Sequence, residues 1–577
     1  MTTSRIGRAW AAATLLIAVV CGCSVVPVGR AGGGEDSPVG DPMSKQFVRM
    51  VAFPPRPEWT AEQVVQGLLA AMAAYPDDQA TLAEYLTPKA RSAWKPAGPV
   101  TVVQDTSKLE ADEERGTATL PGVQIAGIES DDRYVPVTGG GQRTFKYTLK
   151  KAANKAGQPV WLIDSLDDGL VLTAADVERS YRPAKLYFLD GGSGPDGRGS
   201  VVSDSVRVRL RPDENLAETI VRRLLKGPSS ALRGAVTSAL PENLSVESVT
   251  ATDERIVINL DGFVDLASLN LDGMKAQLAW SLRTLASGNR PIELHRDGEP
   301  LAAGLGSIAL EDYKSWGSDH GSGTAYYTSG GEVRWMSGGD GPGNPVHGPA
   351  GQRNEYADLA LSAGADLVAG VAQDGIVVTP DTPEGTWQRV IQGDKLTGPS
   401  WHRDGSLWTY DRRAGAVLRS TADPAQPPTR IAAPALDGLD VTDLRIARDG
   451  VRVAVRIGSG EIRVGAITGG GSAMMLGNFQ SLLKVPDGQQ ITDVAWRDDE
   501  HLLILISSSK AGPSVQEINV GDGKAAALTF ADKRVKSIAA SGSRILAGTG
   551  QEIIEYKDQG WTTNVKEGAQ YPIFPLG

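Results

Sequence analysis

The chain has 577 residues, 41% of them hydrophobic and 22% charged, which is too long for one ordinary domain and too apolar for general disorder. Its 58 basic and 69 acidic residues leave a net charge of −11, and with no excess of positive charge to release phosphate counterions it does not read as a general nucleic-acid binder. Five histidines and two cysteines leave little material for transition-metal or thiol chemistry, while 68 glycines favour a turn-dense, β-rich chain.

The first element in chain order is a leader. Arg5 and Arg8 precede a mostly apolar stretch from Ala9 to Val20, too short to span ~30 Å of hydrocarbon as a helix but suited to the apolar region of a signal peptide. Val20-Cys21-Gly22-Cys23 follows and resembles a bacterial lipobox, in which a small residue stands just before a cysteine that is lipidated and becomes the mature N-terminus. Gly22 gives Cys23 that small residue, whereas Val20 would have to serve for Cys21. Residues 1–22 therefore read as a lipoprotein signal peptide. Cys23 reads as the lipid site, carrying S-diacylglycerol and an N-acyl chain such as palmitate. A plain secretory signal is the alternative. Cleavage would remove Arg5, Arg8 and Cys21, leaving a net charge of −13 and one acylated cysteine, so no intramolecular disulfide is expected. No later run of eighteen uncharged apolar residues exists. The expectation is a protein held to the extracytoplasmic face of the cell membrane by lipid and otherwise soluble. Residues 23–45, with five glycines and three prolines after the cysteine, read as a flexible tether with a root-mean-square span of about 25 Å.

Residues 46–182 read as an N-terminal α+β domain. Thr60 followed by Gln63 is a capping-box pattern, and Val64, Val65, Leu68, Leu69 and Met72 share one helical face. A second helix is expected after Asp77 or Asp78, carrying Leu82, Leu86 and Ala90 and stopping near Trp94-Lys95-Pro96. Strand-like runs follow at Val100–Val103, Gln124–Ile128, Thr144–Leu149 and Val160–Ile163, read as an antiparallel sheet. A spacer or docking domain is the expectation, with a small-molecule pocket as the alternative.

Residues 183–315 open with the strand Leu186-Tyr187-Phe188-Leu189 and a second from Val201 to Leu210. A helix bearing Ile220, Leu224 and Leu225 is stopped by Lys226-Gly227-Pro228. Ala239-Leu240-Pro241 precedes strands Ser245–Val249 and Arg255–Leu260; a helix from about Met274 to Leu285, the strand Pro291–His295 and the turn Asp297-Gly298 complete the series. This order of motifs resembles the GerMN domain, a non-catalytic module of envelope proteins, and the resemblance implies binding to partners or wall components.

Residues 316–577 repeat. Leu361, Trp401, Ile446, Trp496 and Ala540 each mark an apolar strand that enters a turn rich in Asp or Gly and leads into a second apolar strand. Their spacings of 40, 45, 50 and 44 residues are the period of a β-propeller. Ala325–Ser329 and Glu332–Met336 look like the middle strands of a blade that lacks its first, and Tyr571-Pro572-Ile573-Phe574 is a strand left over. Pairing the two would complete a sixth blade and remove open edges; five and seven blades are the alternatives. Taken whole, the order of lipobox, α+β region, GerMN-like domain and propeller resembles the actinobacterial LpqB lipoproteins. That resemblance implies an accessory role outside the membrane, with the sensor histidine kinase MtrB as partner and its response regulator MtrA as the output. It carries over only Cys23 as a specific position.

Catalytic patterns are weak. No G-x-S-x-G is present, and His295, His320, His347, His402 and His501 are scattered and read as turn or blade residues rather than as part of a triad. Ser507-Ser508-Ser509-Lys510 contains S-x-x-K but follows a strand instead of lying on a helix. The loop from Asp190 to Asp196 reads as a turn rather than a cation site, and Gly469-Gly470-Gly471 lacks the Lys-Ser or Lys-Thr of a phosphate cradle. Trp335, Trp401, Trp408 and Trp496 read as blade packing. The expectation is a non-enzyme with no cofactor and no metal, whose recognition surface is the channel mouths and the loops around them. An envelope protein that recognises a cell-wall glycan or peptide is the alternative function.

Overall fold

The computed structural model describes residues 52–191, 199–209, 215–262, 270–286, 290–301, 306–317, 323–336, 342–510, 512–529, 534–566 and 568–577. All of them belong to one compact unit, Asp41–Gly577. The leader, Cys23 and the tether lie outside the described residues.

The first helix, Ala61–Ala74, is closed by the expected capping box: Thr60 Oγ1 accepts from the Gln63 N–H, and the Gln63 side chain accepts from the Thr60 N–H at 2.9 Å. The expected second helix is two short ones, Gln79–Glu84 and Pro88–Ala93. Pro88 cannot donate within a helix and suits only a first turn. Thr87 caps that turn, and Leu86 turns aside to bridge Ile163. The sheet runs in the order Pro159–Ser165, Tyr134–Ala153, Thr117–Ile128, Val100–Val103, Leu170–Thr173, with Glu110–Asp112 beside the third of these. It is not wholly antiparallel as expected. The chain leaves Val100–Val103, builds three longer strands and returns, so that Leu170–Thr173 lies parallel to it. Leu68, Met72, Leu120, Ile163 and Leu172 make the centre of this core.

In the middle region, Tyr181–Leu189 and Val201–Arg209 pair along their full length as a hairpin. Helix Leu216–Leu225 is capped by Asn215 and ends ahead of Gly227, whose φ of +81° is the left-handed stop that glycine supplies without strain. The later helix, Leu271–Ser281, ends four residues before the expected Leu285. Leu282 and Leu285 still reach the core from the turn that follows. Ser245–Ala251, Ile256–Asp261, Ile292–Arg296 and Glu299–Pro300 form a four-stranded sheet.

From Tyr326 onward the described residues form six sheets, five with four strands and one with three. Every one of the five repeat marks falls where the first strand of a four-stranded sheet passes into the second. The three-stranded sheet joins the two ends of the ring, since Ala569–Ile573 pairs with Tyr326–Ser329, setting Tyr326 opposite Ile573. Apolar cores lie between successive sheets. Trp496 and Ile504 pack with Ala454 and Ile462 of the sheet before them, and Phe574 packs with Leu546 and Ile553. The recurrent tryptophans make the same bond. The Trp401 indole N–H donates to the Ala360 carbonyl at 3.2 Å, and that of Trp496 to the Arg445 carbonyl at 3.0 Å. Each reaches back to the first strand of the preceding sheet, so these side chains hold neighbouring blades together.

Candidate functional site

The described histidines are each taken up locally. His295 pairs with Glu293 at 3.2 Å, His347 lies 3.7 Å from Asp381, His402 pairs with Asp404 at 2.7 Å and His501 with Asp498 at 2.9 Å; His320 lies outside the described residues. Among the described residues no three His, Cys, Asp or Glu side chains form a metal-holding group. Asp196 also lies outside them, while Asp190 accepts from Ser200 at 3.2 Å and forms a buried ion pair with Arg403. Ser507 and Ser508 close the strand His501–Ser508, and Lys510 follows in a turn.

The residues that do converge lie on the repeat turns. In three successive sheets an aspartate caps its own turn. Asp404 accepts from the Ser406 N–H at 2.8 Å, Asp449 from the N–H groups of Val451 and Arg452 at 2.7 and 2.9 Å, and Asp498 from those of Glu500 and His501 at 2.9 and 2.8 Å. Such Asx bonds form within a few residues and need no distant partner. The rigid turns present Arg403, Arg452 and Glu500 to the middle-region hairpin. Arg403 meets Asp190; Arg452 bonds Asp449 at 2.5 Å and also the Ser203 carbonyl; Glu500 takes Lys185 and the Ser205 hydroxyl, the latter at 2.7 Å. Arg207 pairs with Asp522 at 3.2 Å. The N-terminal region enters through the Ala73 carbonyl, which accepts from Arg209 at 2.7 Å, and through the turn at Asp131 and Asp132. Asp131 accepts from the Ser230 N–H at 2.6 Å, Asp132 pairs with Arg223 at 3.0 Å, and the Arg207 N–H donates to the Asp132 carbonyl at 2.8 Å.

Enclosure sets the charges here. Burial pushes the Asp204 carboxyl up, although the Ser229 N–H and hydroxyl donate to it at 2.6 and 2.8 Å. Burial and the nearby Asp449 together push Asp499 well up, against the pull of Arg452. For Glu500 burial works the same way, but Lys185 and Ser205 outweigh it and hold the carboxyl low. Burial would lower His501, yet its bond to Asp498 raises it. Between the three regions lies a cleft of about 670 Å³, its open mouth included, lined by Arg133, Tyr134, Asp204, Ser205, Arg452 and Gly521 among others.

The centre of the same face is filled. Arg448 donates to the Pro575 carbonyl at 2.7 Å and to the Ala540 carbonyl at 3.0 Å, and the Leu576 N–H donates to the Leu361 carbonyl at 3.0 Å. One mouth of the channel is thus closed by an arginine and the last residues of the chain. Elsewhere on the first strands, Asp358, Asp443 and Asp493 stand three residues before their repeat marks, and their charges converge on Arg445, which pairs with Asp443 at 3.2 Å.

Known families match each of these regions in order. The model for the N-terminal domain of lipoprotein LpqB matches residues 54–178. A model described as sporulation and spore germination (Germane) matches 185–302, and the lipoprotein LpqB β-propeller domain matches 336–575. The chain belongs to the LpqB lipoprotein family. Relatives align along nearly the whole length. Lipoprotein LpqB of Thermobifida fusca is 27% identical with 99% of both chains covered, and that of Streptomyces coelicolor is 28% identical over 91% of this chain and 90% of its own. The Mycobacterium tuberculosis protein is 24% identical over 93% of each. Among solved structures, the β-propeller domain of Myceliophteria thermophila Cps50 (Swd1) aligns with 39% of this chain and 76% of its own at 14% identity and a TM-score of 0.28, too slight a likeness to build on. The turn-face contacts are what reading the sequence missed. Their one local signal is the recurring Asp at the repeat turns, which by itself marks only a turn.

Proposed function

We propose that this lipoprotein is anchored through Cys23 on the extracytoplasmic face of the membrane. There it acts, without catalysis, as an accessory regulator of a two-component system by binding its sensor histidine kinase, of the MtrB type with MtrA as regulator. The observation that supports a binding role is the turn face. Two ion pairs, Arg403 with Asp190 and Lys185 with Glu500, and a hydrogen bond from Arg452 to the Ser203 carbonyl tie the hairpin and the turn after it to three blades. A compact body on a lipid anchor suits recognition of a neighbour in the same membrane plane. Tethering raises the effective concentration, so a modest intrinsic affinity suffices.

The test has two arms. The purified chain from Ser24 onward is titrated against the extracytoplasmic domain of the sensor kinase, where weak, saturable binding is expected. In cells, Cys23→Ala is expected to release the protein from the membrane fraction and to impair regulator output more than it impairs direct binding. Normal output from a released variant would sink the tethering argument. No binding even at high concentration would transfer the reading to a wall glycan or peptide.

A further inference from the structure

We infer that the cleft where the three regions meet is a binding site for a small monocarboxylate, held by the Arg133 guanidinium. Each region gives the cleft a wall. Arg133 and Tyr134 come from the start of the strand Tyr134–Ala153, Asp204 from the hairpin, and Arg452, Val464 and Gln480 from one blade. Val464 and Gln480 stand opposite each other in that blade's sheet, so they share one face. Arg133 is only 8% exposed, and its Nε is fully buried without a hydrogen-bond partner. Among the described residues its other guanidinium nitrogens make no hydrogen bond or ion pair either. Five other described arginines bury Nε in the same way, and each is held elsewhere. Arg223, Arg448 and Arg456 donate to carbonyls, Arg419 donates to Asp404, and Arg445 pairs with Asp443. Arg133 alone of the six is left over.

The surrounding charges decide which anion fits. Burial pulls the Arg133 guanidinium down, while Asp131, Glu129 and Asp204 hold it up; it stays charged at physiological pH. Two of those carboxylates already have their donors. Asp131 takes the N–H groups of Ser230 and of Arg133 itself at 2.6 and 3.3 Å, and Asp204 takes the N–H and hydroxyl of Ser229 at 2.6 and 2.8 Å. The second arginine of the cleft is spent as well, since Arg452 donates to Asp449 and to the Ser203 carbonyl. One buried guanidinium without bonds is costly, and its planar fork matches a carboxylate through two parallel hydrogen bonds. Three carboxylates near that one cation favour a ligand with a single negative charge, because a phosphate dianion would meet their repulsion. The rest of the wall suits a small amphipathic molecule. Among the described residues neither the Tyr134 hydroxyl nor the Gln480 amide has a hydrogen-bond partner, and Val464 and Leu482 are apolar.

The experiment uses the chain from Ser24 onward, which keeps the whole compact unit. Isovalerate and isovaleramide, of one shape but different charge, are titrated by saturation-transfer NMR, with inorganic phosphate as competitor. Isovalerate is expected to bind saturably in the millimolar range or tighter, and the amide at least about tenfold more weakly. Arg133→Met should weaken isovalerate by at least about tenfold without lowering the urea midpoint of unfolding, because no bond within the protein is lost. A merely structural arginine would lower that midpoint. Arg353→Gln, at an exposed arginine of the propeller, should leave binding unchanged. Should Arg133→Met fail to fold, Val464→Phe narrows the cleft, keeps the guanidinium and should cost isovalerate at least about tenfold. Equal binding of acid and amide, no saturable binding of isovalerate up to about 10 mM, undiminished binding by Arg133→Met, or equal loss in Arg353→Gln would each overturn the inference. Displacement of isovalerate by an equal concentration of phosphate would overturn the monoanion assignment. None of these outcomes depends on the lipid anchor or on the sensor kinase.

Discussion

The ring and the N-terminal sheet meet the hazard of exposed strand edges in opposite ways. In the ring, the strand that completes the three-stranded sheet comes from the far end of the sequence: the Tyr571 N–H donates to the Thr328 hydroxyl across 243 residues. Each sheet is then covered by apolar cores on both sides, as with Phe574 against Leu546 and Val333 against Leu361. The N-terminal sheet stays open, with Pro159–Ser165 and Leu170–Thr173 at its edges. The first of these is guarded locally, by a proline at its start, an irregularity in pairing near Asp164 and two lysines on that carboxylate. The ring therefore depends on remote apolar closure and should fail as a unit. The open sheet depends on local charge and should respond to pH and salt.

The largest effect should come from breaking the closure. Deleting residues 570–577 from the full chain removes Ile573 and Phe574 from the core, takes the Pro575 acceptor from Arg448 and leaves Tyr326–Ser329 as a bare edge. Losing buried side chains of this size costs ~3–5 kcal/mol each for the largest, so a drop of at least about 5 kcal/mol in unfolding free energy is expected. Chemical denaturation of both chains checks it. An unchanged midpoint would mean that the ring draws its stability from elsewhere.

A smaller loss, ~3–5 kcal/mol, is expected for Trp496→Ala, because the side chain is fully buried between two sheets and its N–H serves the Arg445 carbonyl. Trp496→Phe separates the two contributions. It keeps most of the apolar contact and leaves the carbonyl without its donor, which costs about 1–3 kcal/mol. If Trp496→Phe proved as damaging as Trp496→Ala, the hydrogen bond rather than the packing would be what couples the blades.

The same contrast explains what could be read from the sequence. The repeat was legible because three successive turns are capped by their own aspartates, as in Asp404 with Ser406, so a local signature recurs between strands at similar spacing. Ring closure was legible too, since Tyr571–Phe574 had no partner within its own repeat. The N-terminal sheet was harder. Leu82, Leu86 and Ala90 have helical spacing, but Pro88 and the pull of Ile163 on Leu86 divide that helix. Leu170–Thr173 and the helix after it were missed, although Thr173 and Asp176 form a capping box that the sequence displays. The turn-face junction was beyond reach, because Arg403 and Asp190 are 213 residues apart and nothing in either neighbourhood names the other. The candidate lipid site, Cys23, rests on the lipobox pattern.

The smallest effects are pH dependences, and the two regions should show opposite signs. In the N-terminal sheet, the Lys150 ammonium, then Lys89 and Thr87, hold the Asp164 carboxyl down at about 2, below the ~3.9 of an unfolded aspartate. The folded state then binds fewer protons than the unfolded one, so this group adds stability above about pH 4 that is lost as pH falls toward 2. In the ring, the surrounding protein pushes Asp493 up to about 6 despite the pull of Arg445. Here the folded state holds the proton longer, so stability is highest below about pH 4 and declines as pH rises toward 6. Urea unfolding of Asp164→Asn and Asp493→Asn against the parent chain across that range separates them. The deficit of Asp164→Asn should shrink toward low pH, and any deficit of Asp493→Asn should shrink as pH rises from 4 to 6. Parallel curves for both variants would remove electrostatics from the contrast and leave the open sheet resting, like the ring, on packing alone.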